Sequence, residues 1–210
     1  MPDLQPLPSQ MISEHVNAAL AEDWGRLGDI TSAAVIDSGA TARSVIRARE
    51  DGVLAGLAFA QTAFTLADER LKQDAHVADG ESLTAGMDVM TITGPAIALL
   101  GAERVALNFL GHMSGIASQT AQLSRLVAHT AARICDTRKT TPGLRAVEKY
   151  AVRAGGGFNH RFGLDDAILI KDNHIAVVGG VTAAIARAQS NVGHMMRIEV
   201  EIDTLDQLDE

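Results

Sequence analysis

The second half of the sequence alternates short β-rich runs with helical patterns, and this alternation restricts the chain to a small set of folds. The β-rich runs are 133–137, 167–171 and 197–203, while helical periodicity occupies 141–154 and 181–189. Strands that alternate with helices form βα units, whose strands lie parallel in one sheet. The sequence therefore predicts an α/β fold whose second half is built on a parallel sheet.

The first half mixes strands and helices in no regular order. We predict helices at 9–22, 58–66 and 102–128, and strands at 41–49 and 53–55. Glycine, proline and aspartate residues separate these segments, as expected of turns. We therefore divide the chain into a mixed α/β domain, residues 1–110, and a βα domain, residues 111–210.

The distribution of charge is more informative than its total. The formal net charge of −8 argues against nonspecific binding of nucleic acid. Between Arg133 and Lys171, however, eight Lys and Arg residues accompany only four Asp and Glu residues. Such a basic island indicates a pocket for a small anionic ligand, and a solvated helix face explains the count about as well.

The sequence gives no sign of a membrane partner or of export. No apolar run reaches the ~20 residues of a membrane-spanning helix. The first ten residues also lack the basic and apolar regions of a signal peptide. We therefore expect a cytoplasmic protein that binds neither membranes nor nucleic acid.

Basic residues follow three successive segments of the second half, at positions where strands are predicted to end. They are Arg138, Lys139, His160, Arg161 and Lys171. Because the carboxyl ends of parallel strands share one face of an α/β fold, we expect these side chains to converge. Their mutual repulsion would favour a bound anion, although one basic residue at a strand end is usually only a surface residue.

The last β-rich run carries the opposite charge. Its apolar residues at 198, 200 and 202 alternate with Glu199, Glu201 and Asp203. If the apolar residues face outer helices, the carboxylates point toward the interior of a barrel. Carboxylates there suit Mg²⁺ or a cationic transition state. An amphipathic edge strand with one wet face explains the same alternation.

Several blocks of the sequence resemble the signature of the quinolinate phosphoribosyltransferase family. The most specific blocks are 136–145 (DTRKTTPGLR), 148–153 (EKYAVR), 155–161 (GGGFNHR) and 169–174 (LIKDNH). Further matches lie upstream at 28–32 (GDITS), 103–110 (ERVALNFL) and 114–117 (SGIA). The resemblance covers nearly the whole chain, and blocks of this length rarely arise by chance.

The resemblance implies a fold and a reaction. The fold is an N-terminal α/β sandwich domain followed by an open α/β barrel of fewer than eight strands, and the protein works as a dimer or an assembly of dimers. The reaction joins quinolinate to 5-phosphoribosyl 1-diphosphate and yields nicotinate mononucleotide, diphosphate and CO₂, with Mg²⁺ required.

The resemblance also implies roles for particular residues. Arg138, His160 and Arg161 hold the two carboxylates of quinolinate. The residues placed in catalysis are Lys139, Lys171 and Glu201, with both lysines between quinolinate and the sugar diphosphate. Glu201 also faces the ribosyl ring and helps to hold Mg²⁺. Arg104 reaches into the active site of the partner subunit, although in sequence it is only a helix arginine, and such residues are most often solvated.

Two further expectations concern length and rival functions. A complete (β/α)₈ barrel needs about 250 residues, and far fewer follow residue 110. We therefore expect two features of the family to lie beyond Glu210: the remaining Asp on the metal side of the site and the glycine-rich loops that bind phosphate.

One rival function is that of a paralogue of the same fold, such as the molybdenum-transport-associated homologue, with another substrate. The other is a non-catalytic anion-binding fragment.

Overall fold

The computed structural model describes residues 4–210, and these residues form eight helices and seven strands. They divide into two compact units. The first comprises the chain up to Asp136 together with Thr140–Asn159, and the second comprises Thr137–Lys139 together with His160–Glu210. The mixed helix and strand content confirms the predicted α/β class.

The first unit combines five helices with two antiparallel sheets. Its helices are α1 (Ser9–Trp24), α2 (Ile30–Val35), α3 (Leu57–Ala67), α4 (Ala96–Val127) and α5 (Arg145–Ala154). Its strands are β1 (Thr41–Arg47), β2 (Gly52–Val53), β3 (Lys72–Ala75), β4 (Ser82–Leu83) and β5 (Asp88–Pro95). One sheet has the order β1-β5-β3, with Val45 of β1 opposite Thr91 of β5, and β2 pairs with β4.

Helix α4 forms the centre of the core in this unit. Its buried residues recur at helical spacing, as expected of a helix that packs on neighbours along one side, and include Leu99, Ala102, Val105, Ala106, Leu110, Met113 and Ala117. Phe109 of α4 stacks on Phe59 of α3 with ring centroids 4.8 Å apart. Gly155, which ends α5, lies so close to α4 that a Cβ there would overlap the carbonyl oxygen of Ala117.

The second unit contains the predicted parallel pair of strands. Its elements are β6 (Ile168–Ile170), α6 (Asp172–Val178), α7 (Val181–Asn191), β7 (Ile198–Val200) and α8 (Leu205–Asp209). Strands β6 and β7 run parallel, with Leu169 opposite Glu199. Two helices connect them, as parallel strands require a long crossover. None of the helices among residues 4–210 is both long and apolar enough to cross a membrane.

The structure corrects the sequence prediction in three places. The predicted strand at 133–137 is wrong, because among residues 4–210 this segment forms an isolated parallel bridge between Cys135 and Phe158 and no strand. Helix α4 begins at Ala96, directly after Pro95, and so starts earlier than predicted. The short helices α2 and α6 were not predicted, since neither spans enough turns to show a periodic apolar pattern. The boundary at residues 110 and 111 lies within α4 and stays a prediction.

Candidate active site

The candidate site lies at the carboxyl edge of the parallel pair β6 and β7. The register of the pair continues past the strands, because the backbone N–H of Glu201 donates to the carbonyl oxygen of Ile170 at 2.8 Å. Lys171 follows Ile170 directly, so both Lys171 and Glu201 lie where their strands end. This edge is the place where α/β folds bind ligands.

A salt bridge joins the two strand ends. The Nζ of Lys171 lies 2.6 Å from Oε2 of Glu201, and the two side chains are 45% and 56% exposed. The two charges attract each other, and each side chain retains surface that a ligand can reach. The backbone of Lys171 is held separately, since its N–H donates to Nδ1 of His174 at 2.9 Å. The backbone and the ammonium group of Lys171 are thus each held by one neighbour.

His160 forms a second pair of this kind. Its Nε2 lies 3.3 Å from Oε1 of Glu199, which belongs to β7 and precedes Glu201 by two positions. The backbone N–H of Arg161 donates to Nδ1 of His160 at 2.8 Å. Because a backbone N–H can only donate, Nδ1 is the acceptor and the ring hydrogen of a neutral His160 is on Nε2. His160 therefore presents a hydrogen-bond donor toward the carboxylates of β7.

Arg161 is anchored at one end of its guanidinium group. Its Nη1 donates to the carbonyl oxygen of Ala167 at 2.9 Å. Its Nε is buried and has no hydrogen-bond partner within residues 4–210. A buried donor without a partner costs about 1–3 kcal/mol, more if charged, so this placement of Arg161 lowers the stability of the fold.

The loop after Arg161 is organised by Asp166. Its carboxylate accepts the backbone N–H groups of Phe162 at 2.6 Å and Gly163 at 3.0 Å. The pKa of Asp166 is lowered below its ordinary value, chiefly by the hydrogen bond from Phe162. The hydrogen bond from Gly163 and the charge of Arg161 contribute less. The loop is therefore held by an ionised carboxylate, and it carries the carbonyl group that anchors Arg161.

The remaining predicted residues are placed less directly. Arg138 is half-buried and Lys139 is exposed, and both belong to the same compact unit as His160, Arg161 and Lys171. The unit thus contains all five basic residues that were expected to converge. Asp203 is not placed with the other carboxylates of its run, because β7 ends at Val200 and the backbone N–H of Asp203 donates to the side chain of Gln207.

Arg104 belongs to the other compact unit. It is exposed on α4 and lines a groove of about 1130 Å³ together with Arg47 and Arg49 of the β1 region. The structure does not group it with the five basic residues. Sequence reasoning also missed one member of the site: Glu199 was expected to point inward but was given no role, although its period-two relation to Glu201 could have indicated one.

The carboxylates of this edge bear on the expected Mg²⁺. Within residues 4–210 no group of three or more His, Cys, Asp and Glu side chains is arranged to hold a metal ion. Mg²⁺ is commonly bound by only one or two carboxylates, with water and substrate phosphates completing its ligands. Glu199 and Glu201 fit that pattern and do not form a metal cage of their own.

Comparison with known proteins identifies two domains of one family. Residues 29–114 match the family model described as "Quinolinate phosphoribosyl transferase, N-terminal domain", and residues 116–210 match "Quinolinate phosphoribosyl transferase, C-terminal domain". Together the two matches cover most of the chain. The second match includes the basic residues and carboxylates of the candidate site.

Individual relatives agree with the family match. "Probable nicotinate-nucleotide pyrophosphorylase [carboxylating]" of Bacillus subtilis is 47% identical over 195 residues, which cover 93% of this chain and 67% of the relative. "Quinolinate phosphoribosyltransferase [decarboxylating] 2b, mitochondrial" of Nicotiana tabacum is 42% identical over 198 residues, 94% of this chain and 56% of the relative. The chain thus spans between about half and two thirds of the length of these relatives.

Solved structures share the fold. The crystal structure of NadC from Streptococcus pyogenes superposes with a TM-score of 0.93 at 45% identity and covers 97% of this chain and 72% of that one. The nicotinate-nucleotide pyrophosphorylase from Francisella tularensis gives a TM-score of 0.93 at 35% identity, covering 100% of this chain and 73% of that one.

Proposed function

Since the chain belongs to the quinolinate phosphoribosyl transferase family, we propose that it transfers the phosphoribosyl group of 5-phosphoribosyl 1-diphosphate to quinolinate. The transfer is coupled to decarboxylation and gives nicotinate mononucleotide, diphosphate and CO₂ in NAD biosynthesis. The observation that carries this proposal is the edge of β6 and β7, where Lys171 contacts Glu201 and His160 contacts Glu199.

The basic residues suit a dicarboxylate. Quinolinate bears two adjacent carboxylates, and the planar fork of arginine binds such groups in bidentate fashion. Arg138, His160 and Arg161 are the residues that we assign to them. Charge-assisted hydrogen bonds from such groups contribute roughly 1.5–3 kcal/mol each.

Lys139, Lys171 and Glu201 are assigned to the transfer itself. The ring nitrogen of quinolinate forms the new bond to the anomeric carbon, and the diphosphate leaves with the electron pair of the old one. Positive charge develops on the ribosyl ring as this bond breaks, and the carboxylate of Glu201 stabilises it. Lys139 and Lys171 balance the negative charge of the substrates, and Glu201 holds Lys171 in place at 2.6 Å.

Decarboxylation follows from the first step. Bonding at nitrogen converts the ring into a pyridinium, whose positive charge stabilises the electron pair left on carbon when CO₂ departs. A proton then takes the place of the lost carboxylate.

Mg²⁺ and a second subunit complete the proposal. Glu201 would hold Mg²⁺ together with substrate oxygens, and the metal supplies positive charge that stabilises the departing diphosphate. We also propose a homodimer, or an assembly of dimers, in which Arg104 enters the partner's site. The exposure of Arg104 on α4 is compatible with that role.

The direct test is product formation by the purified protein. Nicotinate mononucleotide is measured with Mg²⁺ and phosphoribosyl diphosphate, using quinolinate as substrate and nicotinate as the control. The proposal expects product from quinolinate alone, and loss of product in Lys139→Ala. Product from nicotinate alone, or from neither substrate with a folded protein, would contradict it and favour the paralogue or the anion-binding protein.

A further inference from the structure

Asp136, two positions before Arg138 in the sequence, forms a buried ion pair with Lys149. Neither residue has a part in the reaction proposed above. The Nζ of Lys149, on α5, is 2.5 Å from Oδ1 of Asp136, and the two side chains are only 5% and 9% exposed. Burying two charges costs several kcal/mol per ion before their attraction is counted, and a well-packed apolar pair is often as stable. Stability alone therefore does not explain this pair.

Asn159 joins the pair from a third segment. Its Nδ2 donates to Oδ2 of Asp136 at 2.6 Å and to the carbonyl oxygen of Lys149 at 2.8 Å. Both carboxylate oxygens of Asp136 are thereby engaged, one by Lys149 and one by Asn159. Asp136, Lys149 and Asn159 form the network named here the Asp136 network.

The backbone shows what the Asp136 network fixes. The N–H of Phe158 donates to the carbonyl oxygen of Ile134 at 2.9 Å, and the N–H of Asp136 donates to the carbonyl oxygen of Phe158 at 3.0 Å. Within residues 4–210, these two bonds form a single isolated parallel bridge between Cys135 and Phe158. So short a pairing sets its register weakly by itself. The side chains of the Asp136 network fasten both segments to α5 in one register.

The sequence places the basic residues immediately after this network. Arg138 and Lys139 follow Asp136 by two and three positions, and His160 directly follows Asn159. We propose that the Asp136 network is a positioning device that fixes the spacing between the 138–139 pair and the 160–161 pair, and so sets the affinity for a dicarboxylate. This inference rests on the proposed function, and it assigns Asp136, Lys149 and Asn159 no contact with substrate.

The physical reason for such a device is the geometry of the ligand. Two adjacent carboxylates are rigid, so the groups that hold them need a fixed separation. A misplacement of about 1 Å at a reacting site can cost on the order of 100-fold in rate. A charged network keeps one register because any slip would leave a charge buried without its partner.

The test compares two variants with a control on the same helix. The double variant Asp136→Asn, Lys149→Met removes both charges at nearly constant volume, and Asn159→Ala removes the exposed amide while keeping the ion pair. Tyr150→Phe is the control, because Tyr150 of α5 donates to Asp79 at 2.8 Å and is not part of the Asp136 network. Thermal unfolding and calorimetric titration with quinolinate are measured for each.

We expect both network variants to remain folded and to bind quinolinate about 10-fold or more weakly, with kcat reduced less than kcat/KM. Tyr150→Phe lowers the unfolding temperature and leaves the affinity unchanged. Unchanged affinity in a folded double variant and in Asn159→Ala would overturn the inference and leave a purely structural ion pair. Failure of the unsubstituted protein to bind quinolinate would instead overturn the proposed function.

Discussion

Lys171 and Glu201 join the carboxyl ends of two parallel strands by a salt bridge of 2.6 Å between Nζ and Oε2. The residues are 30 positions apart in the chain, and the pairing of β6 with β7 brings them together. In a second pair, His160 contacts Glu199 of β7. Glu199 and Glu201, two positions apart in sequence, thus place one carboxylate beside each of two basic residues.

Substitution of Glu201 should mainly reduce kcat, whereas substitution of Glu199 should mainly reduce the affinity for quinolinate. Glu201→Gln removes the charge that faces the developing cation, so we expect kcat to fall about 100- to 1,000-fold with little change in quinolinate affinity. Glu199→Gln is the matched control, since it is the same substitution two positions away. It weakens the hold on His160 and should affect quinolinate affinity more than kcat. Steady-state kinetics and titration distinguish the two, and identical profiles would count against these assignments.

Arg161→Lys should weaken quinolinate binding although the charge is kept. Lysine has a single ammonium group and lacks the fork that reaches both Ala167 and a ligand. Loss of one charge-assisted hydrogen bond corresponds to a fall in affinity of about 10- to 100-fold. Arg187→Lys, on the exposed face of α7, is the control. Titration calorimetry gives the affinity of both variants for quinolinate. An unchanged affinity in Arg161→Lys would show that Arg161 does not bind quinolinate.

Arg104→Ala tests the shared site. We expect the variant to fold normally and to bind quinolinate poorly, because its partner's site lacks one cation. Arg47→Ala is the control, since Arg47 lines the same groove and makes only a surface ion pair with Asp88. Mixed dimers of Arg104→Ala and Lys171→Ala subunits should regain activity, because each mixed dimer contains one complete site. No recovery after subunit exchange would contradict the shared arrangement.

Asp166 should make the loop after Arg161 sensitive to acid. Its pKa is lowered in the folded protein, first by the backbone N–H of Phe162, so its ionised form stabilises the fold. That contribution is fully present above the ordinary carboxyl pKa of about 3.9 and is lost as pH falls through the lower, folded value. We expect Asp166→Asn to unfold at a lower temperature than the unsubstituted protein near neutral pH.

The difference in unfolding temperature between the two proteins should shrink in acid, where Asp166 itself is protonated. Scans over a pH series check this. A difference that stays constant down to strongly acidic pH would show that the carboxylate charge has no such role.

Much of the second unit was predictable, because the spacing of apolar residues and the ends of strands are local properties of the sequence. The runs at 167–171 and 197–203 contain β6 and β7, and the helical pattern at 181–189 lies within α7. The shared edge of parallel strands also led from the sequence to Lys171 and Glu201. The contact of His160 with Glu199 was not predicted, because it joins residues 39 positions apart and depends on tertiary pairing.

Other features could not be predicted from local patterns. The segment 133–137 has strand composition, but in the part of the chain that the structure describes it pairs through a single bridge, to Phe158. Composition does not reveal how many pairing partners a segment has. The Asp136 network was invisible for a similar reason. Lys149 lies in a helical pattern as an ordinary charged residue, and its burial depends on Asp136, 13 positions away.

The most direct measurement is calorimetric titration of the protein with quinolinate and, separately, with nicotinate. The account predicts that quinolinate binds at least about 10-fold more tightly than nicotinate, because its second carboxylate adds a charge-assisted hydrogen bond. It also predicts that Arg161→Lys reduces this difference in affinity between the two acids. Equal affinity for the two acids, or no binding of quinolinate by the folded protein, would contradict the assignment of this edge to a dicarboxylate.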